Sequence, residues 1–204
     1  MLKRQAHFLE NQRGFTLIEL AIVLIVLGFI IGSGMDLLGM FNDRSKMAEG
    51  KEVISSNILV VEGYVLKYKK LPDITNFRKV ASSLYDPFGK PLVYIYDANL
   101  AANNICNATG AVITIRYCND AACSSYTDIQ NVAFMILSGG LNHNIQTAVP
   151  TSGAVSSATT IKVYKQGVKN IDDYSTDINR REMYDDIVKW VSFYEFVSLL
   201  GCSS

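Results

Sequence analysis

Hydrophobic and polar positions divide the chain into three stretches. From Phe15 to Met35, 21 residues contain a single charge, Glu19. A helix of that length reaches roughly 31 Å, enough to cross a bilayer core. The residues before it carry Lys3, Arg4 and Arg13 against Glu10, a basic flank that favours a cytoplasmic N-terminus. From Asp36 to about Lys70 the pattern turns amphipathic. Met47, Ile54, Ile58, Val61, Val65 and Tyr68 recur at helical steps and define one face, with Lys51, Glu52, Glu62, Lys67 and Lys69 mostly elsewhere. If both halves are one helix, Phe15 to Lys70 forms a rod of roughly 84 Å. Leu71-Pro72-Asp73 ends it, because proline lacks a backbone donor and disfavours helix in the residue before it.

Beyond residue 70 the period changes. Thr75 to Leu84 reads as a short helix. Asp86-Pro87-Phe88-Gly89-Lys90-Pro91 is turn chemistry leading into a strand at Leu92 to Tyr96. Val112 to Tyr117 and Asn131 to Leu137 are further strands, the second closed by a turn at Ser138-Gly139-Gly140. Residues 147–160 are rich in Thr, Ser, Ala and Gly and read as an exposed loop. Ile161 to Tyr164 is a strand end. Asp185 to Val191 is the closing strand, and Phe193 to Leu200 continues it as strand or short helix.

Glu19 is the anomaly of the apolar span. A carboxylate inside hydrocarbon costs on the order of 2.5–3.5 kcal/mol, so it normally has a partner. No Lys, Arg or His lies elsewhere in the span. A cut between Gly14 and Phe15 would create an ammonium one helical turn from Glu19, on the same chain or on a neighbouring copy. The contiguous stretch Gly14-Phe15-Thr16-Leu17-Ile18-Glu19-Leu20 resembles the cleavage and methylation motif of type IV prepilins and type II secretion pseudopilins. That resemblance implies cutting after Gly14 by a membrane prepilin peptidase, methylation of Phe15, and a role for Glu19 in recruiting and aligning subunits. The Asp86 to Tyr94 segment resembles the Asp-Pro-aromatic-Gly-x-Pro segment before the sheet of major pseudopilins. The strand, Ser-Gly turn and Asn142 resemble a late strand of pilin heads.

Composition narrows the remaining chemistry. Lys+Arg and Asp+Glu both number 19, so no global charge favours nucleic acid. Cys106, Cys118, Cys123 and Cys202 all follow the span, and an even count in a periplasmic segment fits two disulfides. Three pairings are possible; locality groups Cys106, Cys118 and Cys123, with Cys202 pinning the C-terminus to one of them. Their spacing with His143 fits no common zinc pattern. Asp172, Asp173, Asp177, Glu182, Asp185 and Asp186 form an acidic stretch that reads as a solvated face with local ion pairs. Because major pseudopilins hold calcium late in the head, Asp172, Asp173 and Asp177 are the residues to test for it; no other cofactor is expected. There is no phosphate loop, His-Glu-x-x-His or nucleophile elbow. With His7 in the leader, His143 alone is left for acid–base work. The chain reads as a substrate of enzymes and not as one.

The expectation is an α+β, pilin-like protein with a long N-terminal helix on a small antiparallel β-sheet head. Residues 1–14 are a leader, 15–35 the membrane half, 36–70 the amphipathic half and 71–204 a periplasmic head. The resemblance implies a structural subunit of a type IV filament-like assembly, first a pseudopilin of type II secretion. Alternatives are a type IV pilus subunit for adhesion, motility or DNA uptake, and a membrane-anchored receptor that never polymerises. Implied partners are identical or homologous pilin-like subunits, the prepilin peptidase and an inner-membrane assembly platform. The subunit would wait in the inner membrane before joining a periplasmic or extracellular filament.

Overall fold

The computed structural model describes residues 16–174 and 180–202. It opens on helix α1, Leu17–Tyr68. Two compact units divide within that helix, one up to Asn42 and one from Asp43 onward. In the first, every residue from 16 to 32 is exposed, including Leu17, Ile22, Leu24, Phe29 and Ile31. Apolar side chains presented around a whole helix require lipid or other helices to cover them. This stretch is long and apolar enough to cross a membrane.

In the second unit the amphipathic stripe is part of the head core. Ile54, Val61 and Val65 are fully buried, and Met47 and Ile58 pack at their edges. The compact unit that holds the head core therefore takes in the amphipathic half of α1 from Asp43 onward. Tyr68 departs from the expected face: it is half exposed and packs on Tyr64, with ring centroids 4.4 Å apart. Gly50 on α1 is buried, and a Cβ there would meet Ile187 Cδ1 at 2.7 Å. The helix stops before Pro72. Lys69 turns into the left-handed region at φ 56° and donates its N–H to Val65 O, closing the last turn.

The other elements follow in chain order. They are α2 (Ile74–Val80), β1 (Val93–Asp97), α3 (Ala98–Ala102), β2 (Ile113–Cys118), β3 (Tyr126–Ser138), β4 (Ala154–Val155), β5 (Thr159–Tyr164), β6 (Ile187–Ser192) and α4 (Phe193–Leu200). Helix α2 is shorter than the expected Thr75–Leu84, because Asn57 of α1 captures the backbone of Ser82 and Ser83. The fully buried Asn57 amide donates to Ser83 O and accepts from Ser82 N and Oγ. Strand β3, with 13 residues, is the spine. Its first half pairs with β2 and its second half with both β1 and β6.

Those pairings are antiparallel, but β4 joins β1 and β5 joins β2 in parallel. The sheet is thus mixed, where an antiparallel one was expected; the crossovers before β4 and β5 return those strands in the direction of their partners. Both faces are buried. Tyr94, Tyr96, Phe134 and Ile136 lie on the side of α1 and α4, while Ile95, Met135 and Leu137 face Ile115, Ile161, Val163 and Tyr184. The long N-terminal helix and the sheet fit the α+β, pilin-like arrangement.

Two expectations about loops change. Residues 147–160 are not wholly an exposed loop, since Thr147 and Val155 are buried and β4 pairs there. The closing segment divides into β6 and α4. Ser192 Oγ caps α4 by accepting from Tyr194 N, Glu195 Oε1 accepts from Ser192 N, and Gly201 ends the helix in the left-handed region.

Candidate functional site

Gly14 and Phe15 lie outside the described residues. Glu19 lies in the first turn of α1, and its Oε2 accepts from Thr16 N and Thr16 Oγ1, both at 2.8 Å. Thr16 Oγ1 in turn accepts from Glu19 N at 3.3 Å. This reciprocal arrangement is a capping box, which satisfies amide donors left unpaired at a helix start. Thr16 is a site residue that sequence reasoning missed, although Thr-x-x-Glu before an apolar run is itself the signal. The carboxylate is thereby held at the first turn, one turn from where cleavage would place the Phe15 ammonium. Chemically the site can bind a cation and fix a register; it carries no reacting nucleophile.

The four cysteines pair as Cys106–Cys202 and Cys118–Cys123. The first bond closes a separation of 96 residues and ties the end of α4 to the segment between α3 and β2. The second staples the tip of the β2–β3 hairpin across a separation of 5. The Asp86 turn is structural: Asp86 Oδ1 accepts from Phe88 N and Lys90 N, and Gly89 takes φ 84°. Asp86 Oδ2 also accepts from Ser138 Oγ at 2.6 Å. The two head segments singled out in the sequence therefore meet across the sheet.

The acidic stretch separates into distinct roles. Asp173 Oδ2 accepts from Tyr164 OH at 2.6 Å, and Asp172 Oδ2 accepts from Arg180 N. Asp177 lies outside the described residues. The described residues hold no group of three or more His, Cys, Asp or Glu set to bind a metal. A different set of oxygens gathers around Arg180. Its Nε meets Glu182 Oε1 at 2.9 Å, its Nη2 donates to Asn142 O at 2.6 Å, and Asn144 Nδ2 donates to Arg180 O. Asn144 Oδ1, Asp172 Oδ1, Glu182 Oε2 and Asp185 Oδ1 are buried with no hydrogen-bond partner among the described residues. His143 is exposed, with its ring edge-on to Phe88 at 5.6 Å.

Asp186 does not belong to a solvated face, as the charge pattern suggests, but is buried. Its carboxylate accepts from Gln146 N, Thr147 N and Thr147 Oγ1, the last at 2.7 Å. Burial pushes the group up to about 7, against the opposing pull of those hydrogen bonds. Asp185 beside it is raised in the same direction, chiefly by burial. Gly140, at φ 62°, is required above them because a Cβ there would lie 2.3 Å from Asp185 O.

Residues 10–35 match the family model of the prokaryotic N-terminal methylation motif. The match spans the leader's end, Gly14, Phe15, Thr16, Glu19 and the apolar half of α1, and it is the prepilin-cleavage signature of type IV pilins and pseudopilins. No curated protein and no solved structure matches the chain.

Proposed function

We propose that this chain is a structural subunit of a type IV filament-like assembly, and specifically a pseudopilin that serves protein secretion. The observation that carries the reading is the methylation motif standing directly before an exposed apolar helix start whose one carboxylate is positioned at the first turn. Prepilin peptidase would cut after Gly14 and leave a methylated Phe15. The processed chain would sit in the inner membrane with its head in the periplasm. On assembly the apolar faces of α1 would exchange lipid for neighbouring helices, a transfer between two apolar surroundings that costs little. Glu19 would then neutralise the Phe15 ammonium of a neighbour. The role is mechanical, with no catalysis by the chain itself.

The Asp86 to Tyr94 segment supports the pseudopilin side through its resemblance to major pseudopilins, and Asp86 ties it to the Ser138 turn. A pilus subunit is the alternative, favoured by the two disulfides of the head. Mass spectrometry of the N-terminal peptide from membrane and sheared-surface fractions tests the reading. A chain beginning at methylated Phe15 is expected, confined to the cell envelope for a pseudopilus and present in the sheared fraction for a pilus. A chain still beginning at Met1 overturns both. For calcium, the residues to test remain Asp172, Asp173 and Asp177. If they hold calcium, millimolar calcium raises the melting temperature of the full chain in detergent relative to chelator, and Asp172→Asn or Asp173→Asn abolishes that rise. Identical melting with calcium and chelator would remove calcium from the account.

A further inference from the structure

Between the head half of α1 and α4 lies a groove of about 510 Å³, lined by Glu62, Val191, Tyr194, Glu195, Ser198 and Leu199. Its rim is apolar: Tyr194 and Leu199 are exposed, as are Leu59 and Leu66, which flank Glu62 on the same side of α1. Its polar centre holds two carboxylates of like charge. Glu195 is fixed by its place in the α4 capping box. Glu62 is partly buried, and its carboxyl is raised by burial and then by the negative charge of Glu195. A concave site with paired anions and an apolar rim is matched by a long cationic side chain with an apolar stem.

We propose that this groove is an assembly contact that receives Lys67 from α1 of a second copy of the chain. The proposal rests on the filament reading and adds to it a contact between heads. Lys67 is exposed in the last turn of α1, with its Nζ 5.0 Å from the Tyr68 ring centroid. Lys67 and Glu62 stand five residues apart, so they project about 140° from one another around the helix. Near-opposite faces are what a head-to-tail, heterologous contact joins. Sliding one α1 along a parallel copy by about 7.5 Å brings Lys67 level with the neighbour's Glu62.

A charge-swap experiment on the full-length chain in its own cells tests the contact. The readout is the fraction of processed chain in polymer, scored beside Phe15 methylation and the intactness of both disulfides. Glu62→Lys and Lys67→Glu are each expected to lower the polymer fraction at least about tenfold, and the double exchange to restore most of it. Glu62→Lys also replaces a like-charge neighbour of Glu195 with an opposite charge. It should therefore make the head more resistant to unfolding while assembly falls, a split that a purely structural role for Glu62 does not give. Single variants that polymerise like wild type, or a double variant that is not rescued, overturn the contact and leave the filament reading standing. A wild-type chain that is processed but never found in polymer overturns both.

Discussion

Glu19→Ala should leave a processed, folded subunit that stays in the membrane. Two effects act in one direction. The substitution removes the anion that compensates a neighbour's Phe15 ammonium. It also removes a carboxylate whose burial in hydrocarbon costs on the order of 2.5–3.5 kcal/mol, so the variant is more at home in lipid than the wild type. Together these give an expected fall in filament incorporation of about thirtyfold or more, measured as the fraction of chain recovered in polymer against membrane. The head should be unaffected, because its compact unit begins at Asp43, and both disulfides should form.

The capping box supplies the controls. Glu19 also holds the start of α1 through Thr16, and losing a cap costs about 0.5–2 kcal/mol. Glu19→Gln keeps a capping side chain and loses the charge. Thr16→Ala keeps the charge and loses the cap. If charge pairing drives assembly, Gln should fail almost as badly as Ala, and Thr16→Ala should assemble with a minor deficit. The opposite order would reassign Glu19 to helix initiation. Normal incorporation of Glu19→Ala would remove the mechanism.

The parts of this protein that were legible in its sequence are those with a strong local period or a contiguous motif. Apolar continuity marks the anchor, steps of three and four mark the buried positions Ile54, Val61 and Val65, and alternation marks β2. What escaped depends on partners distant in the chain. Asn57 looks like an interruption of the helix stripe until Ser82 and Ser83 come round to meet it. Thr147 looks like part of a polar loop until β6 delivers Asp186 beneath it. Parallel pairing of β4 and β5 is likewise set by where long crossovers return, which no local pattern encodes. For the site, the Gly14–Glu19 motif was legible because processing reads a linear peptide. The Glu62–Glu195 groove was not, since its carboxylates are 133 residues apart in sequence and share a face only after folding.

Asp186 carries the second large expectation, a head that loses stability as pH rises. Its donors, Gln146 N, Thr147 N and Thr147 Oγ1, are all neutral, and burial outweighs them to place the folded group at about 7 against an ordinary 3.8. A folded value above the unfolded one means that the native state holds the proton more tightly. The associated stability is fully present below about pH 4 and is lost as pH rises through about 7. At about 1.4 kcal/mol per unit, moving from pH 5 to pH 7 removes about 2–3 kcal/mol, which is of the order of 5–10 °C in melting temperature for a head of this size. Asp185, also raised, acts with the same sign. Asp186→Asn can keep an oxygen facing Thr147 while giving up the titration, so its unfolding free energy should be flatter across this range. It should be the less stable protein at pH 5 and the more stable one at pH 8. Denaturant titrations of the full chain in detergent, disulfides intact, measure both. Curves for wild type and Asp186→Asn that run parallel from pH 5 to pH 8 would show that Asp186 is ionised throughout, with its three donors outweighing burial.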